Sequence, residues 1–334
     1  IYVAGSKPRG LAVDASGNVW VTNAGNGTAS TASGYSNVME LSSNGTVIGT
    51  YVAGSYPYAI AIDASGNVWI ANAGNGTPGT AASDSNIMKL SPSGVLLGTF
   101  VAGTYPYGVT IDASGNVWVA NSGNGTAGTA TGDSNIMELS PSGVLLGTFG
   151  AGSYPQATAI DSAGDVWVAN LGNGTASTAA GYSNITKLDS NGVLLGTFVA
   201  GSYPRDLAID ASGNVWVANS GNGTAGTAAV DSNVSVLNSS GTLVATYVAG
   251  AYPQAIATDG AGNVWVANWG NGTAGTATGD SNVTALSAGG SVLATIVAGS
   301  FLYSIVIDSS GSVWVANRGS GTPGPTTADS NVSE

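Results

Sequence analysis

Seven residues recur at a fixed interval of 49 along this 334-residue chain: Arg9, Tyr58, Tyr107, Gln156, Arg205, Gln254 and Tyr303. The sequence around them hardly changes, yet the residues themselves vary among guanidinium, phenol and amide. Such a mixture suits a sugar or a peptide, with rings covering apolar faces and polar tips fixing orientation. Three further residues join this candidate ligand-binding set. Asp206, beside Arg205, is the one carboxylate at a varying position, and a lone Asp–Arg neighbour pair reads first as a salt bridge. Trp269 and Arg318 share a second variable position, and Trp269 stands outside the register kept by the other tryptophans. Two residues before the first set run Lys7, Tyr56, Tyr105, Tyr154, Tyr203, Tyr252 and Phe301, which read as wedges between neighbouring repeats.

A third group points to a cation. Asp84, Asp133, Asp231, Asp280 and Asp329 each open an Asp-Ser-Asn string at the end of a long polar loop. Carboxylate, amide and carbonyl oxygens in one loop are ligands for Ca²⁺. Each loop offers one carboxylate, however, and the spacing is not that of an EF-hand. The competing reading is that Asp and Asn accept backbone N–H bonds and lock the loop.

Absent residue types exclude much chemistry. There is no cysteine, hence no thiolate nucleophile, disulfide or zinc–thiolate site. There is no histidine, which removes the commonest general base and metal ligand. Behaviour should therefore be flat between about pH 6 and 8 unless a buried carboxylate has a much raised pKa. The net charge is −12, and the basic residues are Lys7, Arg9, Lys89, Lys187, Arg205 and Arg318. Scattered along the sequence, they form no run that could track a phosphate backbone, so nucleic acid is not an expected partner. The apolar stretches are too short for membrane insertion.

These residues must be positioned by a repeated element. Asp14, Asp63, Asp112, Asp161, Asp210, Asp259 and Asp308 mark the same period, each followed six residues later by a tryptophan. In the second repeat, Tyr58-Ala-Ile-Ala-Ile62 is a short apolar strand. Asp63-Ala-Ser-Gly-Asn67 is a tight turn, and Val68-Trp-Ile-Ala71 is the return strand. A polar loop precedes a third strand near residues 86–90, and a fourth covers about 95–102. Four short strands, seven times over, predict an all-β fold: a seven-bladed β-propeller of four-stranded antiparallel blades. With 52 glycines and few Glu or Lys, a helical solenoid of this period is excluded. Ile60 and Ile62 would lie on one blade face and Ala59 and Ala61 on the other, leaving room for Trp69. The seven periodic tryptophans are accordingly core residues, and the turn aspartates are structural.

The ends predict closure. Ile1-Tyr-Val-Ala4 aligns with the tail of a fourth strand, and the last repeat stops in its third. Residues 1–4 should complete the blade formed by about residues 300–334, so that residues 1–334 make one propeller and hide two sheet edges. The chain opens without methionine, as a processed product or fragment would.

The strings Asp14-Ala-Ser-Gly-Asn-Val-Trp-Val21 and Asp112-Ala-Ser-Gly-Asn-Val-Trp-Val119, preceded by Pro8 and Pro106, resemble NHL-repeat propellers. They are most similar to the subgroup containing virginiamycin B (streptogramin) lyase. That resemblance implies a Mg²⁺-assisted elimination with histidine as base. This chain has no histidine, so none of those catalytic residues carries over. The expectation is thus a non-enzymatic module for binding, adhesion or structural assembly outside a bacterial cell, secreted or on its surface. No cofactor is expected beyond the Ca²⁺ considered above. Its partner would be a carbohydrate, a peptide or another protein subunit. The alternative is a lyase or hydrolase of the streptogramin-lyase type that uses a base other than histidine.

Overall fold

The computed structural model describes residues 1–32, 34–130, 132–179, 181–326 and 329–334. Its strands form seven four-stranded sheets. In the second blade the strands are Pro57–Ile62, Val68–Asn72, Asn86–Leu90 and Leu96–Val101, paired antiparallel in chain order. The other blades repeat this plan, with first strands at Pro8–Val13, Pro106–Ile111, Pro155–Ile160, Pro204–Ile209, Pro253–Thr258 and Leu302–Ile307. Each first strand packs against those of both neighbouring blades, and Leu302–Ile307 packs against Pro8–Val13, so the ring is closed.

Alternation of large and small side chains produces the blade-to-blade core. Trp69 lies with Ala59 and Ala61 on one face and packs onto Val109, Val117 and Val119 of the next blade. Ile60 and Ile62 lie on the opposite face, against Trp20 of the preceding blade. Both faces of the inner strands are covered, as a propeller requires. Fourth strands form the outer rim and leave apolar side chains such as Leu96 and Leu97 in solvent.

The aspartate–tryptophan interval has a direct cause. In every blade the tryptophan Nε1–H donates to the turn aspartate, from 2.8 Å at Trp314–Asp308 to 3.3 Å at Trp20–Asp14. The second carboxylate oxygen of Asp63 accepts the backbone N–H of Ser65 and Asn67. One side chain thereby shapes the turn and satisfies an otherwise orphaned indole donor.

The seventh blade is composite. Its strand order runs Leu302–Ile307, Val313–Asn317, Asn331–Ser333 and then Tyr2–Val3. Tyr2 pairs with Val332 and Val3 with Asn331. The Tyr2 ring stacks on Trp314 at 5.5 Å, and its hydroxyl donates to Glu334 at 2.8 Å.

Candidate active site at the channel mouth

A non-glycine residue in the left-handed region stands before each first strand. These are Lys7, Tyr56, Tyr105, Tyr154, Tyr203, Tyr252 and Phe301, with φ between 50° and 55°. This conformation is uncommon for side-chain-bearing residues and is tolerated where packing over-determines it. The packing is visible: the Tyr154 ring lies over Gly125, and its hydroxyl donates to the Asn124 carbonyl at 3.3 Å. The tyrosines thus tie each inter-blade segment to the preceding long loop. The left-handed residue redirects the chain, proline follows in all blades but the last, and the next side chain enters the central channel.

The seven variable residues do meet there. Arg9, Tyr58, Tyr107, Gln156, Arg205, Gln254 and Tyr303 line one channel, together with Asp206. Outside it lies a chamber of about 320 Å³ bounded by Arg9, Tyr58, Arg205, Gln254, Trp269, Tyr303 and Arg318. The candidate residues, hundreds of positions apart in sequence, form one continuous surface.

Their contacts are specific. The Arg9 guanidinium lies 3.9 Å from the Tyr58 ring centre and 5.1 Å from that of Tyr303, and donates to the Tyr303 hydroxyl at 3.4 Å. The Tyr58 and Tyr303 hydroxyls hydrogen-bond each other. Tyr58 and Tyr107 are 4.1 Å apart between ring centres. Trp269 is partly exposed, beside Tyr303 at 5.6 Å and beneath Arg318 at 5.6 Å. Gln156 donates to Ser122 Oγ at 3.3 Å. Arg205 makes no hydrogen bond or ion pair among the described residues, and the Nε atoms of Arg9 and Arg205 are buried without an acceptor.

Asp206 departs from the expected salt bridge with Arg205. Its Oδ1 accepts the backbone N–H of Leu207 at 2.9 Å, and its Oδ2 that of Ile256, on the next blade's first strand, at 3.0 Å. The carboxylate is drawn into the sheet and away from the guanidinium. The residue is half-buried and lines the channel. Burial pushes it up to about 6, against the two backbone hydrogen bonds, which hold it down. Burial, and then the adjacent Tyr303, raise the Tyr58 phenol well above its ordinary value, and burial raises Tyr107. Both phenols stay protonated at neutral pH as hydrogen-bond donors.

Sequence reasoning missed the gathering of positive charge. Arg9, Arg205 and Arg318 border one chamber, and Lys7 borders the adjoining recess with Arg318. The two remaining cations are engaged elsewhere: Lys89 pairs with Asp63 at 3.4 Å, and Lys187 with Asp161 and Asp165 at 3.1 and 2.9 Å. The signal was available, since Arg9 and Arg205 occupy equivalent repeat positions.

The candidate calcium residues lie apart from this site, each in its own blade. Asp84, Asp133, Asp231 and Asp280 each accept the N–H of an alanine three residues earlier at 3.1 Å, and Asp329 accepts that of Thr326 at 3.1 Å. No three acidic side chains converge among the described residues. No helix of the described residues is long and apolar enough to cross a membrane.

No protein-family model matches the chain, and no curated protein matches it. Solved structures do. A streptogramin B lyase superposes with a TM-score of 0.70 at 16% identity, covering 94% of this chain and 91% of that one. Virginiamycin B lyase from Staphylococcus aureus gives 0.69 at 15%, covering 94% and 92%. A catalytically inactive histidine-to-alanine variant of the latter, solved with quinupristin, gives 0.67 at 16%, covering 93% and 92%. The fold is therefore that of the virginiamycin B (streptogramin) lyase-like β-propellers. At these identities the likeness is one of fold. These matches nevertheless overturn the expectation of a non-enzymatic binding, adhesion or assembly module. Over nearly its whole length the chain follows the fold of solved lyases, and the enzymatic alternative is taken up as a proposal.

The Mg²⁺ that the resemblance implies does not fit this mouth. Mg²⁺ takes hard oxygen ligands in octahedral array and is held by carboxylates. Among the described residues Asp206 is the one carboxylate lining the channel, both its oxygens already accept backbone N–H bonds, and arginines line the same walls.

Proposed function

We propose that this chain is a lyase that uses Asp206, in place of histidine, as the base at the channel mouth. One observation carries the reading: a carboxylate with no cationic partner among the described residues, pushed up to about 6 by burial, lines a channel that also presents Arg9 and Arg205. Asp206 removes a proton from carbon. The C–H electron pair becomes a C=C bond, and the leaving group on the next carbon departs with its own bonding pair. The guanidinium groups of Arg9 and Arg205 stabilise the negative charge that develops. Tyr58, kept protonated by its raised pKa, is placed to hydrogen-bond the departing oxygen. The likeness to lyases supports this reaction class, and quinupristin, named with one of them, is a first compound to assay. A secreted or cell-surface bacterial setting accords with the charge-poor, cysteine-free composition.

The test is turnover by Asp206→Asn. The variant should lose at least about a hundredfold in kcat, the range general-base removal produces, and should still fold. Asp206→Glu should recover part of the loss. Full activity in Asp206→Asn would contradict the assignment.

A further inference from the structure

We propose that the substrate carries a carboxylate, held by Arg205 and Arg9, beside a ring that lies against Trp269. The chemistry rests on the lyase reading, but the binding argument stands on separate observations.

The first is charge. In a chain of net charge −12, three guanidinium groups border one chamber of about 320 Å³ that no acidic residue lines. Arg9, Arg205 and Arg318 have no carboxylate partner among the described residues, whereas Lys89 and Lys187 both do. The second is unsatisfied donors. The Nε–H groups of Arg9 and Arg205 are buried and have no acceptor. A buried charged donor left unpaired is unfavourable, and a carboxylate supplies two in-plane acceptors that match the guanidinium fork. Neutral ligands supply acceptors but no countercharge. The third is Trp269, whose ring is partly exposed between Tyr303 and Arg318 and borders the same chamber. The register tryptophans are committed to contacts between blades instead.

The reaction then gains a reason for its location. A C–H bond beside a carboxylate becomes acidic enough to break only when the carboxylate charge is neutralised, which the two guanidinium groups do. Asp206 takes that proton, the electron pair forms the double bond, and the oxygen substituent on the next carbon takes a proton from solvent and leaves as an alcohol, or as water where it is a free hydroxyl. The step is redox-neutral and needs no further reactant. The shared chemistry is a carboxylate with an oxygen substituent one carbon further on. A uronate residue of an acidic glycan and a small aromatic β-hydroxy acid both present it.

Titration calorimetry on the full chain with trigalacturonate, its methyl ester and β-hydroxy-β-phenylpropionate separates the cases. Trigalacturonate should bind at least about tenfold more tightly than its ester if the glycan is the source, as expected for hydrogen bonds to a charged group. The phenylpropionate should be the tightest ligand if the source is a small acid. Arg205→Gln should erase the preference for acid over ester, and Arg205→Lys should retain part of it. Trp269→Ala should weaken acid and ester alike, with an unchanged Tm showing that the variants fold. Equal affinity for acid and ester with no binding of the phenylpropionate, binding of neither acid, or an undiminished preference in Arg205→Gln would overturn the proposal. Arg205-dependent acid binding without an unsaturated product would uphold it and sink the lyase reading. Elimination from neutral substrates as fast as from acids would do the reverse.

Discussion

Asp206 and Arg205 are adjacent in sequence, and the fold sends them to opposite tasks. The aspartate turns into the sheet and takes two backbone N–H groups, while the arginine stays free at the mouth. The proposed base, pushed up to about 6 by burial, sets the expected pH dependence. Activity should climb about tenfold per pH unit below that value and level off above about pH 7. A pH–rate profile checks this, and a profile flat down to about pH 4 would exclude Asp206. The rise falls mainly below the window in which sequence composition predicts flat behaviour. The residues that gather at the mouth were legible because repeats can be compared with one another. The perturbation of Asp206 was not legible, because its cause is burial, which depends on how neighbouring blades pack around the channel. The ion pairs of Lys89 and Lys187 were not legible either, because strand pairing brings residues more than twenty positions apart together. Their partners are turn aspartates of their own blades.

The blade is the next scale. Its strands and turn could be read from alternation, glycine and the Asp–Trp interval, because local hydrogen bonds fix them. The left-handed tyrosines could not be read, since a non-glycine residue takes that conformation only when tertiary contacts impose it. The ring over Gly125 offers a direct check. A Cβ at Gly125 would sit 2.2 Å from the Tyr154 ring, at a φ of +88°. Gly125→Ala should cost on the order of 2 kcal/mol, read by denaturant titration. Closure makes a second prediction. Deleting residues 1–4 removes two strand pairings and the Tyr2–Trp314 stack. The Tm should fall by at least about 5 °C, and an unchanged melting curve would mean that the seventh blade stands without its borrowed strand.

Across the whole molecule, two groups of carboxylates oppose each other. Asp206, Glu40 and Glu138 are raised in the folded state, in each case chiefly by burial. Their contribution to stability is full below the unfolded-state value near pH 4 and is lost as the pH rises through their folded values. Asp63, Asp161, Asp210, Asp259 and Asp308 are lowered. Burial raises them, but hydrogen bonds from the turn and the tryptophan outweigh it. Their contribution is lost as the pH falls through values below the ordinary aspartate range. A net charge of −12 adds self-repulsion as the remaining acids ionise. Calorimetry should therefore place maximal Tm near about pH 4 to 5, with a decline toward neutrality. A maximum at or above pH 7 would show that the raised carboxylates have little weight.

The most direct measurement is the mass balance of the products formed by the purified chain from trigalacturonate, β-hydroxy-β-phenylpropionate and quinupristin. Elimination gives products whose masses sum to that of the substrate, one of them carrying a new C=C bond, and Asp206→Asn should give none. Products that together exceed the substrate by one water, or no turnover of any of the three, would contradict the account.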